Sequence, residues 1–205
     1  PFLFRNPIID GEFCTQTAQQ TFELGQFNSD VQILTGIMLD EGTAFLLSYF
    51  QLTQKDPDAN YTKDQLKQLL NYLVEHDMLL IHVDVKDAFD FYMSNENESD
   101  QTSLKKAFSD IIGDPLLVCP TIFFAQKFTE LNNTLKEKVY FYRFSHKLKN
   151  RSYSSCKGDW VGNCHYEDVP IVFGQAVIDP SSFTEIDYQF SLLIMTLWTN
   201  FAKNG

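Results

Sequence analysis

Glu41, in Asp40-Glu41-Gly42-Thr43, and His165, between Cys164 and Tyr166, are the two side chains whose types could together do acid–base chemistry. An imidazole takes the proton from a weak nucleophile, and a carboxylate behind it fixes the tautomer and stabilises the imidazolium. The acid precedes the histidine by 124 positions, the order of a hydrolytic triad whose serine comes first. No Gly-x-Ser-x-Gly occurs in the 205 residues, so the elbow that presents such a serine is missing from this chain. We therefore expect the C-terminal part of something larger. Taken alone, Glu41 reads as a solvated turn residue and His165 as a packed histidine.

The elements that must position these residues follow from the hydrophobic pattern. Val31 to Ile37 is a short apolar run of the buried parallel-strand kind, which puts Glu41 just past a strand's C-terminal end. In open α/β sheets that edge is where ligands bind. From Thr62 to Asp77, Leu66, Leu69, Leu70, Leu73 and Val74 recur at helical spacing behind Thr62 as N-cap. Further helices are expected over Val85 to Met93, around Leu104 to Ile112 with an end at Gly113-Asp114-Pro115, and over Leu116 to Leu131 with Pro120 in the first turn. Val139 to Phe144 reads as a second core strand, and Val169 to Phe173 as a short apolar segment ending at Gly174. Ser182-Phe183-Thr184-Glu185 reads as a capping box opening a long helix with the face Phe190, Leu193, Ile194, Leu197, Trp198 and Phe201. Two or three strands cannot build a sheet covered on both faces, so the missing strands are expected upstream.

The chain is 44% hydrophobic and 15% aromatic, enough for one sizeable core. A formal charge of -11 argues against a nucleic-acid partner, because phosphates would be repelled rather than neutralised. No uninterrupted apolar stretch of about 18 residues is present, so no membrane span is expected, and Pro1 opens without a signal-peptide pattern. Four sequons, at Asn60, Asn97, Asn132 and Asn150, together with four cysteines, favour a secreted, extracellular glycoprotein. Cys156 and Cys164 flank a Gly158-Asp159-Trp160 turn signal at a spacing that a small disulfide loop closes, worth roughly 2 to 3 kcal/mol of unfolded-state entropy. The alternatives are two free thiols, or a metal site with His165 for which no further ligands are evident. Cys14 and Cys119 could pair with each other or with a cysteine outside the chain. No cofactor or metal is expected.

Seven blocks carry a resemblance over essentially the whole length: Pro7-Ile8-Ile9-Asp10-Gly11, Leu34-Thr35-Gly36 through Thr43, Gly113-Asp114 with Cys119-Pro120, and Tyr142-Arg143-Phe144-Ser145-His146; then Trp160-x-Gly162-x-x-His165, Val172-Phe173-Gly174, and Ile194-Met195-Thr196 with Trp198 through Lys203. In these blocks the chain resembles the C-terminal part of the type-B carboxylesterase and cholinesterase family of α/β-hydrolases. The resemblance implies an α/β fold, the C-terminal portion of a mostly parallel central sheet flanked by helices. Residues 1–205 would be part of one such domain, incomplete without the upstream part of the same hydrolase on the same or a separate chain.

It also implies that Glu41 is the triad acid and His165 the base of a secreted carboxylic-ester hydrolase, and that the serine and the glycine-rich oxyanion hole lie upstream. This chain alone would then be inactive. The resemblance pairs Cys119 with a cysteine near the family's C-terminal end. It implies glycine after the histidine, where this chain has Tyr166, and glutamate three positions past it, where this chain has Asp168. Ala44 stands where cholinesterases place an aromatic, removing a cation–π contact of ~1 to 2 kcal/mol. A general carboxylesterase is therefore expected rather than a dedicated acetylcholinesterase. Phe2, Phe4 and Phe45 are candidates for an apolar substrate wall, with Ala44 and Tyr166 beside them; ordinary core packing is the competing reading of the phenylalanines. His146 is read as structural. The rival function is a catalytically inactive relative used for adhesion or as a carrier, as neuroligins and the thyroglobulin C-terminal domain resemble the same family.

Overall fold

The computed structural model describes residues 8–28, 30–79, 84–131, 139–149 and 156–205. Among them two strands form, β1 (Ile33–Met38) and β2 (Val139–Phe144), paired in parallel with Ile33 opposite Val139 and Met38 opposite Phe144. A parallel pair requires a crossover. Here it carries α2 (Gly42–Leu52), α3 (Lys63–Glu75), α4 (Val85–Met93), α5 (Gln101–Gly113) and α6 (Cys119–Leu131), with α1 (Ala18–Glu23) lying ahead of β1. After β2 come the short helices α7 (Val169–Val172) and α8 (Gln175–Ile178), then the long α9 (Glu185–Asn204).

Two apolar clusters result. Leu46 and Phe50 of α2, Leu66, Leu70 and Leu73 of α3, Phe89 and Met93 of α4, and Leu104, Phe108 and Ile112 of α5 form the larger, which also takes in Trp160 and Val161. The smaller joins the sheet ends Met38 and Phe144 to Leu148, Ile171, Ala176, Phe183 and Ile194. The turn from β1 into α2 lies between them, and it carries Glu41.

Local chemistry accounts for the expected elements. Thr62 caps α3 reciprocally with Gln65, each side chain accepting the other's backbone N–H, and the apolar face Leu66, Leu69, Leu70 and Leu73 is buried. The α4 and β2 boundaries fall at the expected residues. Val31 and Gln32 lie ahead of β1, which instead extends to Met38.

Other expectations are corrected. The helix does not end at Gly113-Asp114-Pro115. Residues Asp114–Val118 form a π-helical turn that leads directly into α6, the Cys119 N–H reaching back to the Asp114 carbonyl. The wide turn absorbs the N–H that Pro115 lacks, and the Tyr92 hydroxyl fixes its start by donating to Asp114 Oδ2 at 2.8 Å. This makes Gln101–Glu130 one helical run, long and apolar enough to cross a membrane by length and composition. A search for uninterrupted apolar residues misses it because Lys105, Lys106, Asp110 and Asp114 punctuate it. In this fold its first half is core, with Leu104, Phe108, Ile111 and Ile112 fully buried.

The N-cap of α9 is Thr184, not Ser182, and Asp187 answers it in the capping box. Ser181 and Ser182 donate their hydroxyls to Asp179 instead. On the expected face of α9, Ile194 is buried, Phe190 and Trp198 pack on the smaller cluster and Phe201 meets Tyr140, while Leu193 and Leu197 stand about half exposed. The short apolar segment Val169 to Phe173 supplies the helix α7, followed by Gly174 in the left-handed region at φ 68°. Helix α2 was not anticipated: Leu46, Tyr49 and Phe50 are its buried face.

Helices α2 and α5 meet backbone to backbone at Gly42 and Gly113. A Cβ on Gly113 would stand 2.5 Å from the Gly42 nitrogen and 2.6 Å from its Cα, atoms that cannot swing aside. Alanine improves helix propensity by up to ~1 kcal/mol, whereas overpacking against backbone costs ~1 to 3 kcal/mol. Gly113→Ala should therefore lower the thermal midpoint of the full-length protein, measured by calorimetry; an unchanged or raised midpoint would show that the helices can part without cost.

Candidate active site

Leaving β1, the chain turns at once into α2, and Glu41 occupies the bend with its side chain folded back. The Met38 N–H donates to Glu41 Oε1 at 2.7 Å, and His165 Nδ1 lies 2.7 Å from Oε2. Glu41 is 7% exposed by side chain and His165 33%. A carboxylate only accepts hydrogen bonds, so the neutral imidazole carries its proton on Nδ1 and leaves Nε2 with a lone pair. The arrangement can take a proton at Nε2 and stabilise the resulting cation at Nδ1.

What holds His165 is Asp40. Its backbone N–H donates to the Asn163 carbonyl at 3.0 Å, and its Oδ2 accepts the Asn163 N–H at 2.7 Å. The other oxygen pairs with Lys106 of α5 at 2.8 Å. Asn163 Nδ2 donates to the His146 carbonyl at 2.6 Å, and His146 Nε2 meets Asp187 Oδ1 of α9 at 2.7 Å. Burial would raise the Asp187 carboxyl, but hydrogen bonds from Thr184 and His146 outweigh it and hold its pKa below the usual value. The Cys156–Cys164 disulfide is formed, both residues buried beside Trp160 in the larger cluster, and it anchors the chain next to His165. Cys14 and Cys119 are free thiols, each partly buried.

A cavity of about 200 Å³ opens at this point, lined by Gly36, Ile37, Met38, Glu41, Tyr142, His165, Tyr166, Asp168 and Val169. Gly36 stands opposite Tyr142 in register, and its missing side chain lets the phenol lie across the strand. The Tyr142 hydroxyl donates to Asp168 Oδ2 at 3.2 Å; burial, then the Asp168 charge, push the phenol up to about 12. Asp168 thus faces the cavity through Tyr142.

Of the residues expected to contact substrate, Tyr166 lines the cavity, 67% exposed, its ring edge-on to His165 with centroids 4.7 Å apart. Phe45 packs on the larger cluster with its ring centroid 5.7 Å from that of His165. Ala44 packs on the same cluster and does not line the cavity. Phe2, Phe4 and the sequons at Asn132 and Asn150 lie outside the described residues, whereas Asn60 and Asn97 are exposed. Sequence reasoning did not single out Asp40, Asn163 or Lys106, whose roles depend on contacts between distant segments. Asp40 was visible only as a member of Asp40-Glu41-Gly42.

A buried carboxylate, Glu41, thus meets an imidazole, His165, at the C-terminal end of a parallel strand, an arrangement able to do acid–base chemistry. The family model described as "Carboxylesterase family" matches residues 1–205. The chain is 30% identical over 199 residues to a cholinesterase of Mus musculus, with 97% of this chain and 31% of that protein covered. It is 27% identical to an acetylcholinesterase of Bungarus fasciatus, covering 97% and 31%, and 28% identical to acetylcholinesterase-1 of Trittame loki, covering 99% and 34%. The chain belongs to the carboxylesterase family, and with it to the α/β-hydrolase fold. It spans about a third of the length of these curated relatives.

Two outcomes follow from this geometry. Tyr166 has φ 79°, in the left-handed region that costs a side-chain-bearing residue ~1 to 2 kcal/mol. Its ring is largely exposed, so little burial offsets the strain, and Tyr166→Gly should raise the thermal midpoint; a lowered one would mean that the ring's contact with His165 outweighs the strain. Burial, then the charges of Asp114 and Asp40, raise Asp110 to about 7, against the partial relief of Lys106. A carboxyl raised in the folded state favours folding most below its unfolded value of about 3.9 and loses that contribution as pH rises through about 7. Asp110→Asn should therefore gain stability relative to the parent across that window and keep a constant advantage above it, checked by thermal midpoints against pH; parallel curves would overturn the assignment.

Proposed function

We propose that this chain is the C-terminal part of a single α/β-hydrolase domain whose full-length protein is a secreted serine carboxylic-ester hydrolase, with Glu41 as acid and His165 as base. The observation that carries it is the 2.7 Å contact between His165 Nδ1 and Glu41 Oε2, made by a carboxylate whose other oxygen is already held by the Met38 N–H. Family membership and the cholinesterase relatives support the reaction class. The buried disulfide and cholinesterase relatives support an extracellular setting.

In this reading an upstream serine attacks an ester carbonyl while His165 Nε2 takes its proton, and Glu41 stabilises the imidazolium. His165 then returns the proton to the departing alcohol, leaving an acyl-enzyme. Water, activated by the same imidazole, releases the acid. The oxyanion hole comes from upstream backbone N–H groups. Tyr166 and Phe45 flank the imidazole and narrow the approach to it, and Ala44 supplies no aromatic face for a quaternary ammonium, which favours general carboxylic esters as substrates.

The test is fluorophosphonate labelling of the full-length protein with mapping of the labelled peptide. A labelled serine outside these 205 residues is expected. His165→Ala should lower kcat by at least about 10⁴-fold and Glu41→Gln by about 10⁴-fold, with circular dichroism unchanged. Absence of labelling in a folded full-length protein would overturn the esterase and leave the inactive adhesion or carrier relative, the reading that Tyr166 at a strained backbone position favours.

A further inference from the structure

Two sequons that stand far apart in sequence, Asn60-Tyr61-Thr62 and Asn97-Glu98-Ser99, meet at one corner of the molecule where α3 and α5 begin. Gln101 joins them. Its Nε2 donates to the Tyr61 carbonyl at 2.9 Å and to the Glu98 carbonyl at 2.6 Å, while its Oε1 accepts the Tyr61 N–H at 2.7 Å. Glu98 Oε1 in turn accepts the Lys63 N–H at 2.6 Å.

Although both asparagines are exposed, the two acceptors are held differently. Tyr61, the middle residue of the first sequon, is 8% exposed and stacks on Phe50 with centroids 5.1 Å apart; its hydroxyl donates to the Asp56 carbonyl at 2.6 Å. The Thr62 hydroxyl oxygen is committed to the Gln65 N–H at the start of α3. Lifting this segment into an enzyme's active site would pull an aromatic ring out of the core and uncap a helix. In the second sequon every residue is exposed, and the Asn97 side-chain carbonyl accepts the Ser99 N–H at 3.0 Å, which folds the asparagine over its own hydroxyl residue.

We propose that Asn97 is an N-glycan site which the folded chain still presents, and that folding closes the sequon at Asn60. The reaction is nitrogen substitution at a sugar. Asn97 Nδ2 forms the bond to the anomeric carbon of a lipid-linked oligosaccharide diphosphate, the bond from that carbon to the diphosphate oxygen breaks, the lipid diphosphate leaves, and one amide proton passes to a base of the transferase. The same transfer at Asn60 requires Tyr61 to be unpacked, so it competes with folding of the larger cluster. The glycan at Asn97 leaves from the N-terminal end of α5, and the other end of that 13-residue helix lies against Gly42. At 1.5 Å per residue the two ends of that helix stand roughly 18 Å apart, so the glycan sits at the end away from the cavity.

The experiment expresses the full-length protein behind a signal peptide, so it tests the acceptor geometry whatever the natural destination and whether or not the protein hydrolyses esters. Site occupancy is read by glycopeptide mass spectrometry with and without a membrane-permeant reductant during synthesis, which delays closure of Cys156–Cys164, and again in Gln101→Ala. Asn97 should be occupied throughout. Asn60 should be largely empty in untreated cells and rise by at least about twofold under reductant and in Gln101→Ala. Full occupancy of Asn60 in untreated cells, an empty Asn97, or an Asn60 that stays empty when folding is delayed would each overturn the proposal.

Discussion

Asp40 joins two segments of chain 123 residues apart, and the remainder of the site depends on that junction. With its amide and one carboxylate oxygen it takes both backbone groups of Asn163, so the loop carrying His165 is set against the bend carrying Glu41. A buried N–H or C=O left without a partner costs ~1 to 3 kcal/mol, and the mutual pairing avoids this on both strands of the junction at once. Lys106 offsets the charge of the clamp from α5, and Asn163 extends it to His146, whose ring is tied to α9 through Asp187. Both apolar clusters are thereby connected through a few polar atoms. The imidazole is positioned by the junction between clusters rather than by either core alone.

Close approach of backbone is the second constraint. Gly42 and Gly113 let α2 and α5 touch without side chains between them, and that contact sits at the first residue after Glu41. Gly162 works similarly on the histidine side, where φ 67° and the nearness of Asp40 leave no room for a Cβ. Tyr166 breaks this pattern: a bulky residue adopts a backbone geometry that glycine would adopt freely, and its ring comes to rest edge-on beside His165.

Much of the scaffold was legible because it obeys period and cap. Thr62 with Gln65, the leucines of α3, and the aromatic alternation of β2 each agree with their surroundings, so local and global preferences coincide. The sequence misled where tertiary partners overrode local signals. Pro115 reads as a stop, yet a π turn carries the helix through it, its start held by Tyr92; Ser182 with Glu185 reads as a capping box, yet Thr184 with Asp187 forms it two residues on, the other Asp187 oxygen meeting His146 from 41 positions away. Glu41 and His165 were legible through the resemblance and the motifs that carry it. Asn163 and Lys106 were not, since nothing in their immediate neighbourhood announces a partner more than fifty positions off.

The span between Glu41 and His165 has a consequence for the order in which the molecule is made. Helices α2 to α5 can bury one another through contacts made largely within residues 42–113, before His165 has been synthesised. Closing a loop of 124 residues comes later and costs entropy that short-range contacts do not. A chain interrupted after α6 would therefore hold a substantial core while lacking any imidazole at Glu41, and quality control that senses only exposed apolar surface would have little by which to tell it from the finished protein.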